Sequence, residues 1–217
     1  MAAQVASKAG YVDAYRSMRE GALYLIIAFL LVSVGTIAVL FSLLPAFFIR
    51  PPSIWQYGLE AALVSLAFVA ILVIIGGIIG LIGLWGKFVP GVRRLAGLNP
   101  EFGTSSTLIY VGLFWGLILM IIGAVLLLVI VGIFVMIVAA ILMILGYVGL
   151  IVLGFKLYDV ERSGLYLAAG ILFIVGIFVP IASFIAWILL YVALGESIKR
   201  AEAVPAAPTA PAPVSPS

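Results

Sequence analysis

The side chains best suited to acid–base, redox or metal chemistry are scarce in this sequence, and almost all lie outside its apolar runs. The chain has no cysteine and no histidine, so it lacks the thiolate and imidazole ligands of most metal, haem and iron–sulfur sites. Its Asp, Glu, Lys and Arg fall in short segments between the apolar runs. We therefore expect no cofactor, no enzymatic activity and none of the buried ionisable groups that proton-coupled transporters use.

Glu60 is the carboxylate that comes nearest to the membrane interior. It begins the second apolar run, and Arg50 could pair with it at the outer boundary. Because ionisable groups are rare inside membranes, an interfacial position is favoured over a buried one. The other polar atoms in the runs are hydroxyls and indoles. Without a neighbouring base the serines are poor nucleophiles, and we expect them to bond back to the preceding helical turn.

The composition is that of an integral membrane protein, with 66% hydrophobic and 9% charged residues among 217. A hydrocarbon core of about 30 Å needs about 20 helical residues. The uncharged runs Gly21–Ile49 and Ala61–Gly86 each fit one span. The run Phe102–Phe155 is long enough for two spans, with a tight hairpin expected near Val131-Gly132.

The last run, Ser163–Gly195, is too long for one helix at an ordinary tilt. Gly176 and the Val179-Pro180 pair mark the expected break, with a kink as the alternative, because proline lacks an N–H and disfavours helix in the residue before it. With six spans, ten of the 11 Lys and Arg would lie on one side, against eight with five spans. We therefore predict an all-α membrane protein with about six transmembrane helices, five being the alternative, and with both termini cytoplasmic.

An internal repeat agrees with six helices. The segment "VAILVIIGGIIGLIGLWGK" from Val69 resembles "VAAILMILGYVGLIVLGFK" from Val138, and each would be the second helix of a hairpin. Three helical hairpins are the economical interpretation. The predicted domains are a cytoplasmic amphipathic lead-in at 1–20, a transmembrane helical domain at 21–200 and a disordered Pro/Ala-rich tail at 201–217.

Small residues recur at helical spacing within three of the predicted spans. Such faces let helix backbones approach closely, and packing within the chain is favoured over a dimer face or a substrate path. The predicted helix-packing residues are Gly76, Gly80 and Gly83 in span two, Gly112, Gly116 and Gly123 in span three, and Ala182, Ala186 and Ala193 in the last span.

The segment "KFVPGVRRLAGLNPEFGTSS" is predicted to be the longest cytoplasmic loop. Pro90-Gly91 should turn the chain, and Val92, Leu95 and Leu98 could then face the bilayer along a short helix. Arg93 and Arg94 are the predicted contacts to lipid headgroups, with general positive-inside anchoring as the alternative. Asn99-Pro100 should end this helix.

Four segments carry a resemblance to a known family: "REGALYLIIAFLLVSVG", "IIGGIIGLIGLWGKF", "ILMILGYVGLIVLGFKLYD" and "YVALGESIK". They resemble uncharacterised multispanning membrane proteins of thermoacidophilic archaea, classified as domain of unknown function number 973. The resemblance covers roughly Arg19 to Arg200 and leaves out the Pro/Ala tail. It implies an archaeal cell membrane, and it implies no activity, ligand or functional residue.

Two function hypotheses follow from these patterns. The first is a non-enzymatic membrane protein that serves as a structural component or as a small subunit of an assembly. The second is a passive permease or channel for small neutral or apolar solutes. The expected partners are membrane lipids and either another membrane protein or further copies of this chain. Nucleic acid is not expected, because the net charge of +3 comes from the loops.

Overall fold

The computed structural model describes residues 2–48, 54–126 and 131–203, and within these ranges the chain is helical with no strand. The helices are α1 (Ala2–Phe48), α2 (Ile54–Leu81), α3 (Val89–Leu98), α4 (Gly103–Ile109), α5 (Gly116–Val125), α6 (Val131–Glu161), α7 (Gly164–Gly176) and α8 (Pro180–Ala203).

Two π-helical segments make longer rods out of these helices. The first π segment, Ile82–Phe88, joins α2 to α3, and the second π segment, Tyr110–Trp115, joins α4 to α5. A short 3₁₀ turn, Pro100–Phe102, precedes α4. The chain therefore runs through helical structure from Ile54 to Leu98 and again from Pro100 to Val125.

Hairpin one consists of α1 packed against α2, the first π segment and α3. The two rods are antiparallel, because Gly35 near the far end of α1 lies beside Leu72, whereas Gly10 near its start lies beside Leu98. A Cβ added at Gly21 would lie only 2.6 Å from the backbone nitrogen of Phe88. Glycine at this position is thus a requirement of the close approach between the rods.

Hairpin two consists of α4, the second π segment and α5 packed against α6. Gly149 lies beside Ile109 at one end and Gly123 lies beside Met136 at the other, so these rods are also antiparallel. The two spans predicted in the run Phe102–Phe155 are confirmed. The chain connection falls between Val125 and Val131, just before the predicted Val131-Gly132, because both of those residues already belong to α6.

Hairpin three consists of α7 and α8, and it confirms the predicted break before Pro180. The Tyr166 hydroxyl lies 2.8 Å from the Ser197 hydroxyl, while Gly176 lies beside Ser183. These contacts pair the start of α7 with the end of α8, so the chain reverses direction between them. The interruption is a hairpin turn and not a kink.

Five stretches of these helices are long and apolar enough to cross a bilayer, counted over the described residues. They are Lys8–Ala38, Ala67–Leu98, Pro100–Gly123, Val131–Glu161 and Pro180–Ala203. The apolar helix α7 has 13 residues, a length of about 20 Å, which is short of a full bilayer core. The protein is therefore an all-α, multi-pass integral membrane protein with five to six apolar helices.

The buried core lies at one end of the bundle, the end that carries the basic segments of all three hairpins. Hairpin one contributes Met18, Phe88 and Leu95, hairpin two contributes Leu153, and hairpin three contributes Phe173, and all five are at most 1% exposed. Toward the other end, large apolar side chains are exposed along α1, α2, α5 and α6, as expected of surfaces that face lipid. We call the end of the bundle that contains the buried core and the basic segments the charged end.

The structure corrects the prediction of a turn at Pro90-Gly91. Both residues lie in a helix that continues through the first π segment, with Pro90 in the first turn of α3. Val92 and Leu95 do not face the bilayer, because both are 0% exposed and pack inside the protein. The expected helix end at Asn99 is confirmed, and its side chain accepts a hydrogen bond from the Glu101 backbone N–H at 3.0 Å.

The amphipathic lead-in is part of α1, which continues without interruption from Ala2 to Phe48. Ala14, Tyr15 and Met18 are at most 2% exposed, and Gly91 of α3 lies against Met18. This segment therefore packs within the protein. At the other terminus α8 ends at Ala203, and the tail predicted at 201–217 falls, from residue 204 onward, outside the described residues.

The hydrogen bond between Tyr166 and Ser197 should contribute measurably to hairpin three. We expect Tyr166→Phe to lower the free energy of unfolding by about 1 kcal/mol, because the Ser197 hydroxyl, 1% exposed, loses its partner. Thermal unfolding in detergent would measure this loss. Tyr11→Phe is the matched control, since its hydroxyl is exposed and makes only a 3.5 Å contact with the Leu98 carbonyl. A double-mutant cycle with Ser197→Ala that gives zero coupling would contradict the expectation.

Candidate functional site

The small residues predicted to pack helices in span two lie against α1, with Gly76 and Gly80 on α2 and Gly83 on the first π segment. A Cβ added at Gly76 would lie 3.2 Å from the Ala28 carbonyl oxygen, and one at Gly83 would lie 3.0 Å from the Gly21 carbonyl oxygen. Gly80 is less crowded, because an added Cβ there would meet only the Ala28 Cβ, at 3.3 Å. Two of these three glycines thus lie against the backbone of the neighbouring helix.

In span three, Gly112, Gly116 and Gly123 are all buried and face α6. Gly112 is the most crowded, since a Cβ there would overlap the backbone of Gly146. A Cβ at Gly116 or at Gly123 would lie 3.0 Å from the backbone nitrogen of the residue opposite, in α6. The small residues predicted in the last span, Ala182, Ala186 and Ala193, are 5, 0 and 0% exposed on α8.

Tyrosine hydroxyls join the hairpins to one another. The Tyr15 hydroxyl of hairpin one donates to Glu161 Oε1 of hairpin two at 2.8 Å. Arg19 Nη2 of hairpin one donates to the Tyr191 hydroxyl of hairpin three at 3.1 Å. The Tyr147 hydroxyl of hairpin two is hydrogen-bonded to the Ser183 hydroxyl of hairpin three. We call these contacts the three interhairpin tyrosine bonds, and together they link every pair of hairpins.

Arg19 lies tightly against α8. Its guanidinium stands over the Tyr191 ring at 4.6 Å from the centroid, and a Cβ on Gly195 would lie 3.1 Å from Arg19 Nε. That Nε is buried and has no hydrogen-bond partner in the described part of the chain. Glycine at 195 therefore leaves the room that the guanidinium occupies.

Ion pairs and carbonyl contacts surround these bonds at the charged end. Lys87 Nζ lies 2.7 Å from Glu20 Oε2, and the Ser17 hydroxyl donates to the Lys87 carbonyl oxygen at 2.7 Å. Arg200 Nη1 donates to the Glu161 carbonyl oxygen at 3.1 Å. The ion pair is about half exposed, so it adds little stability by itself. Together, these contacts place the N-terminal part of α1, the first π segment and the ends of α6 and α8 at the same end of the bundle.

The side chains of Arg93 and Arg94 have different surroundings, although the two residues are neighbours in α3. The Arg93 guanidinium stands over the Tyr110 ring, 4.8 Å from its centroid. Arg94 is close enough to Lys87 for their positive charges to interact. Both side chains are exposed, and neither forms an ion pair with a carboxylate of the described residues. The two predicted lipid contacts therefore have different neighbours, an aromatic ring for Arg93 and a lysine for Arg94.

Other sequence predictions have mixed outcomes. Thr36 Oγ1 donates to the Val32 carbonyl oxygen at 2.9 Å, which is the expected bond to the preceding turn. Glu60 belongs to α2, but the predictions for its side chain and for Arg50 lie outside what the structure describes. In residues 2–48, 54–126 and 131–203, no three His, Cys, Asp or Glu side chains are placed to hold a metal ion.

The interhairpin tyrosine bonds were not predicted from the sequence. Tyr147 and Tyr191 were visible as polar groups inside apolar runs, and Tyr15 lay in the predicted lead-in. Their partners lie 146, 36 and 172 residues away in the chain. No local spacing signals such a pairing, because it depends on how the three hairpins dock.

A family model described as "Protein of unknown function (DUF973)" matches residues 12–217. The chain belongs to the DUF973 family. No curated protein and no solved structure matches it.

The DUF973 match supports the resemblance stated above for Arg19 to Arg200. It also corrects that resemblance, because it includes the Pro/Ala-rich tail that was placed outside the shared part. Pro/Ala-rich segments have low complexity and carry few distinctive residues, so the tail gave no signal of its own.

The glycine contacts of hairpin two should control the stability of the DUF973 protein. Gly112→Ala would place a Cβ in overlap with the Gly146 backbone and 2.6 Å from the Leu142 carbonyl oxygen. We expect a loss of about 1–3 kcal/mol in the free energy of unfolding, because the two helices must move apart. Thermal unfolding in detergent, with circular dichroism as the readout, would measure it.

Gly77→Ala is the matched control on α2, because a Cβ there would meet nothing within 4 Å. We expect it to be neutral or to stabilise the helix by up to about 1 kcal/mol, since alanine is the better helix former. Equal melting temperatures for the two variants would show that close backbone approach at Gly112 does not limit stability.

Proposed function

We propose that this DUF973 protein is a non-enzymatic integral membrane protein that serves as a structural component or small subunit of a membrane assembly. The observation that carries the proposal is how its polar side chains are used. Six polar side chains form hydrogen bonds between hairpins, in the pairs Tyr15 with Glu161, Arg19 with Tyr191, and Tyr147 with Ser183. Groups that an enzyme would aim at a substrate are here aimed at other helices.

The glycines of the small-residue faces support the same proposal. Gly76, Gly83, Gly112, Gly116 and Gly123 lie against a neighbouring helix backbone of the same hairpin. We propose that they are packing residues, because contact at small residues replaces the hydrophobic drive that lipid removes. This use of glycine supports a scaffold, since it fixes helix positions and contributes no reactive group.

The exposed outer surface of α2 supports the proposal that the protein has an assembly partner. Within the described residues, α2 has its extensive contacts with α1 and the first π segment. Phe68, Ile71, Ile74 and Ile78 are each more than 50% exposed on α2. A span with so few neighbours within its own chain has surface left for another membrane protein or for a second copy of this chain, in addition to lipid.

We further propose that the protein lies in the cell membrane of an archaeon, with both termini in the cytoplasm. The archaeal source is supported by the sequence resemblance alone. The orientation is supported by the positive-inside bias. The basic residues Arg16 and Lys87 of hairpin one and Arg200 of hairpin three are all tied into contacts at the charged end. That end would face the cytoplasm.

The assembly role can be tested by extracting the protein with its native lipid in polymer-bounded discs. We expect a complex of fixed mass in which a second membrane protein, or a second copy, is present at a constant ratio over successive purification steps. Mass photometry and quantitative peptide counting would give the ratio. A chain that is always alone, and that raises the flux of a neutral solute in vesicles, would favour the passive permease and overturn the proposal.

The orientation can be tested by single-cysteine labelling, because the chain has no native cysteine. Ser53→Cys should react with a membrane-impermeant thiol reagent in right-side-out vesicles, whereas Ala96→Cys and Ser215→Cys should react only after the vesicles are opened. The reason is that Ala96 and Ser215 lie on the cytoplasmic side when six spans are present. Labelling of Ser215→Cys from outside would leave five spans.

A further inference from the structure

A row of stacked side chains runs from the charged end into the apolar part of the protein. The Arg93 guanidinium stands over the Tyr110 ring at 4.8 Å, and that ring stacks on Phe114 at 5.4 Å between centroids. Phe114 meets the Trp85 ring edge to face at 4.9 Å. We call Arg93, Tyr110, Phe114 and Trp85 the Arg93 row.

The Arg93 row lies where hairpin one meets hairpin two. Arg93 and Trp85 belong to hairpin one, whereas Tyr110 and Phe114 belong to hairpin two. Trp85 is in the first π segment and Phe114 is in the second. Next to the contact of α3 with α4, the two rods thus also meet through side chains of two π-helical segments. A π-helical turn is a local form that is rare in α-helices and frequent at functional sites.

Beyond the Arg93 row the two hairpins separate. In the described residues, α2 has its extensive contacts with α1 and the first π segment, and α5 has its contacts with α6 and the second π segment. Over the residues that the structure describes, α2 and α5 are not in extensive backbone contact. Ile82 and Trp115, at this level, are 51 and 47% exposed. The apolar end of the Arg93 row therefore lies at the base of an opening between two spans.

The charge of the Arg93 row is uncompensated within the described part of the chain. Arg93 is exposed, and its contact is with the face of an uncharged ring. By contrast, the nearby cation Lys87 is paired with Glu20. An arginine held in place on an aromatic ring presents its N–H groups in a fixed fork, the geometry that binds a phosphate through two hydrogen bonds.

We propose that the Arg93 row is a binding site for one anionic phospholipid, and that this site holds the lipid between hairpins one and two. The phosphate would bind the Arg93 guanidinium, and the hydrocarbon chains would lie along Phe114, Trp85 and Trp115 in the opening between α2 and α5. Arg93 and Trp85 are eight residues apart, or roughly 12 Å along a helix, which matches the step from a headgroup to the upper part of its chains. Tyrosine and tryptophan favour this interfacial depth.

The occupant is inferred to be a lipid because the row joins an exposed cation to a lipid-facing apolar gap. A soluble anion would use Arg93 and gain nothing from Trp85 or Trp115. A second protein chain would gain little from an isolated cation above an apolar gap. The proposal is independent of the assembly role, because the site is built from this chain alone.

The test uses the full-length protein in detergent and native mass spectrometry with added phosphatidylglycerol or phosphatidylcholine. We expect one phosphatidylglycerol molecule to be retained at a concentration at least tenfold below that needed for phosphatidylcholine. Arg93→Gln should abolish this preference. Arg94→Gln is the matched control, because it removes the same charge one residue away from the row, and it should change retention by less than twofold.

Three outcomes would overturn the proposal. Equal losses for Arg93→Gln and Arg94→Gln would show attraction to net charge and no built site. Displacement of the lipid by millimolar inorganic phosphate would show an anion site without a hydrocarbon part. A lipid-free dimer that persists in phosphatidylglycerol would show that a second chain fills the opening.

A second measurement does not depend on how well the arginine variants fold. Phosphatidylglycerol with brominated chains should quench the tryptophan fluorescence of the unmodified protein at a mole fraction at least fivefold below that of brominated phosphatidylcholine. Trp115→Phe should remove part of the quenched signal. The same midpoint for both lipids would contradict the proposed site.

Discussion

Close approach between helix backbones is the constraint on which the rest of this structure depends. In hydrocarbon, two helices gain little by burying apolar side chains against each other, because lipid covers those side chains equally well. At Gly112 and Gly146, and again at Gly21 and Phe88, the backbones lie closer than any larger residue would permit. Dispersion contacts over the length of each hairpin then provide the attraction that hydrophobic burial provides in water. The hairpins are therefore the primary units, and what remains is how they dock.

Docking is concentrated at the charged end. The core residues Met18, Leu153 and Phe173 from the three hairpins meet there, and the ion pairs of Arg16 and Lys87 lie around them. Charged side chains of membrane proteins favour the interface, because water and headgroups there let them pair without a full desolvation cost. Farther into the membrane such pairs would be too costly, and there α2 and α5 diverge. The gap between α2 and α5 thus lies at a depth where pairs of charged side chains would be costly.

The sequence predicted the helices well and their local details less well. The apolar runs located the spans, and Pro180 located the turn of hairpin three, because proline ends a helix for a reason internal to the chain. The prediction of a turn at Pro90 was wrong, and the reason lies in the neighbouring backbone. It lies just after the first π segment, where the widened turn changes the hydrogen-bond pattern that a proline would otherwise break. The tyrosine partners could not be predicted at all, since they depend on docking between hairpins.

Tyrosine explains how the hairpins are joined without charges deep in the membrane. Tyr147 lies nine residues before Lys156, or about 14 Å along α6 from the basic loop. A carboxylate at that depth would need a buried cation beside it, whereas a phenol needs only one hydroxyl partner, which Ser183 supplies. The other two tyrosines have charged partners, because the Tyr15 hydroxyl donates to Glu161 and the Tyr191 hydroxyl accepts from Arg19. One residue type thus joins all three hairpins, because a phenol can pair with a neutral hydroxyl as well as with a charged group.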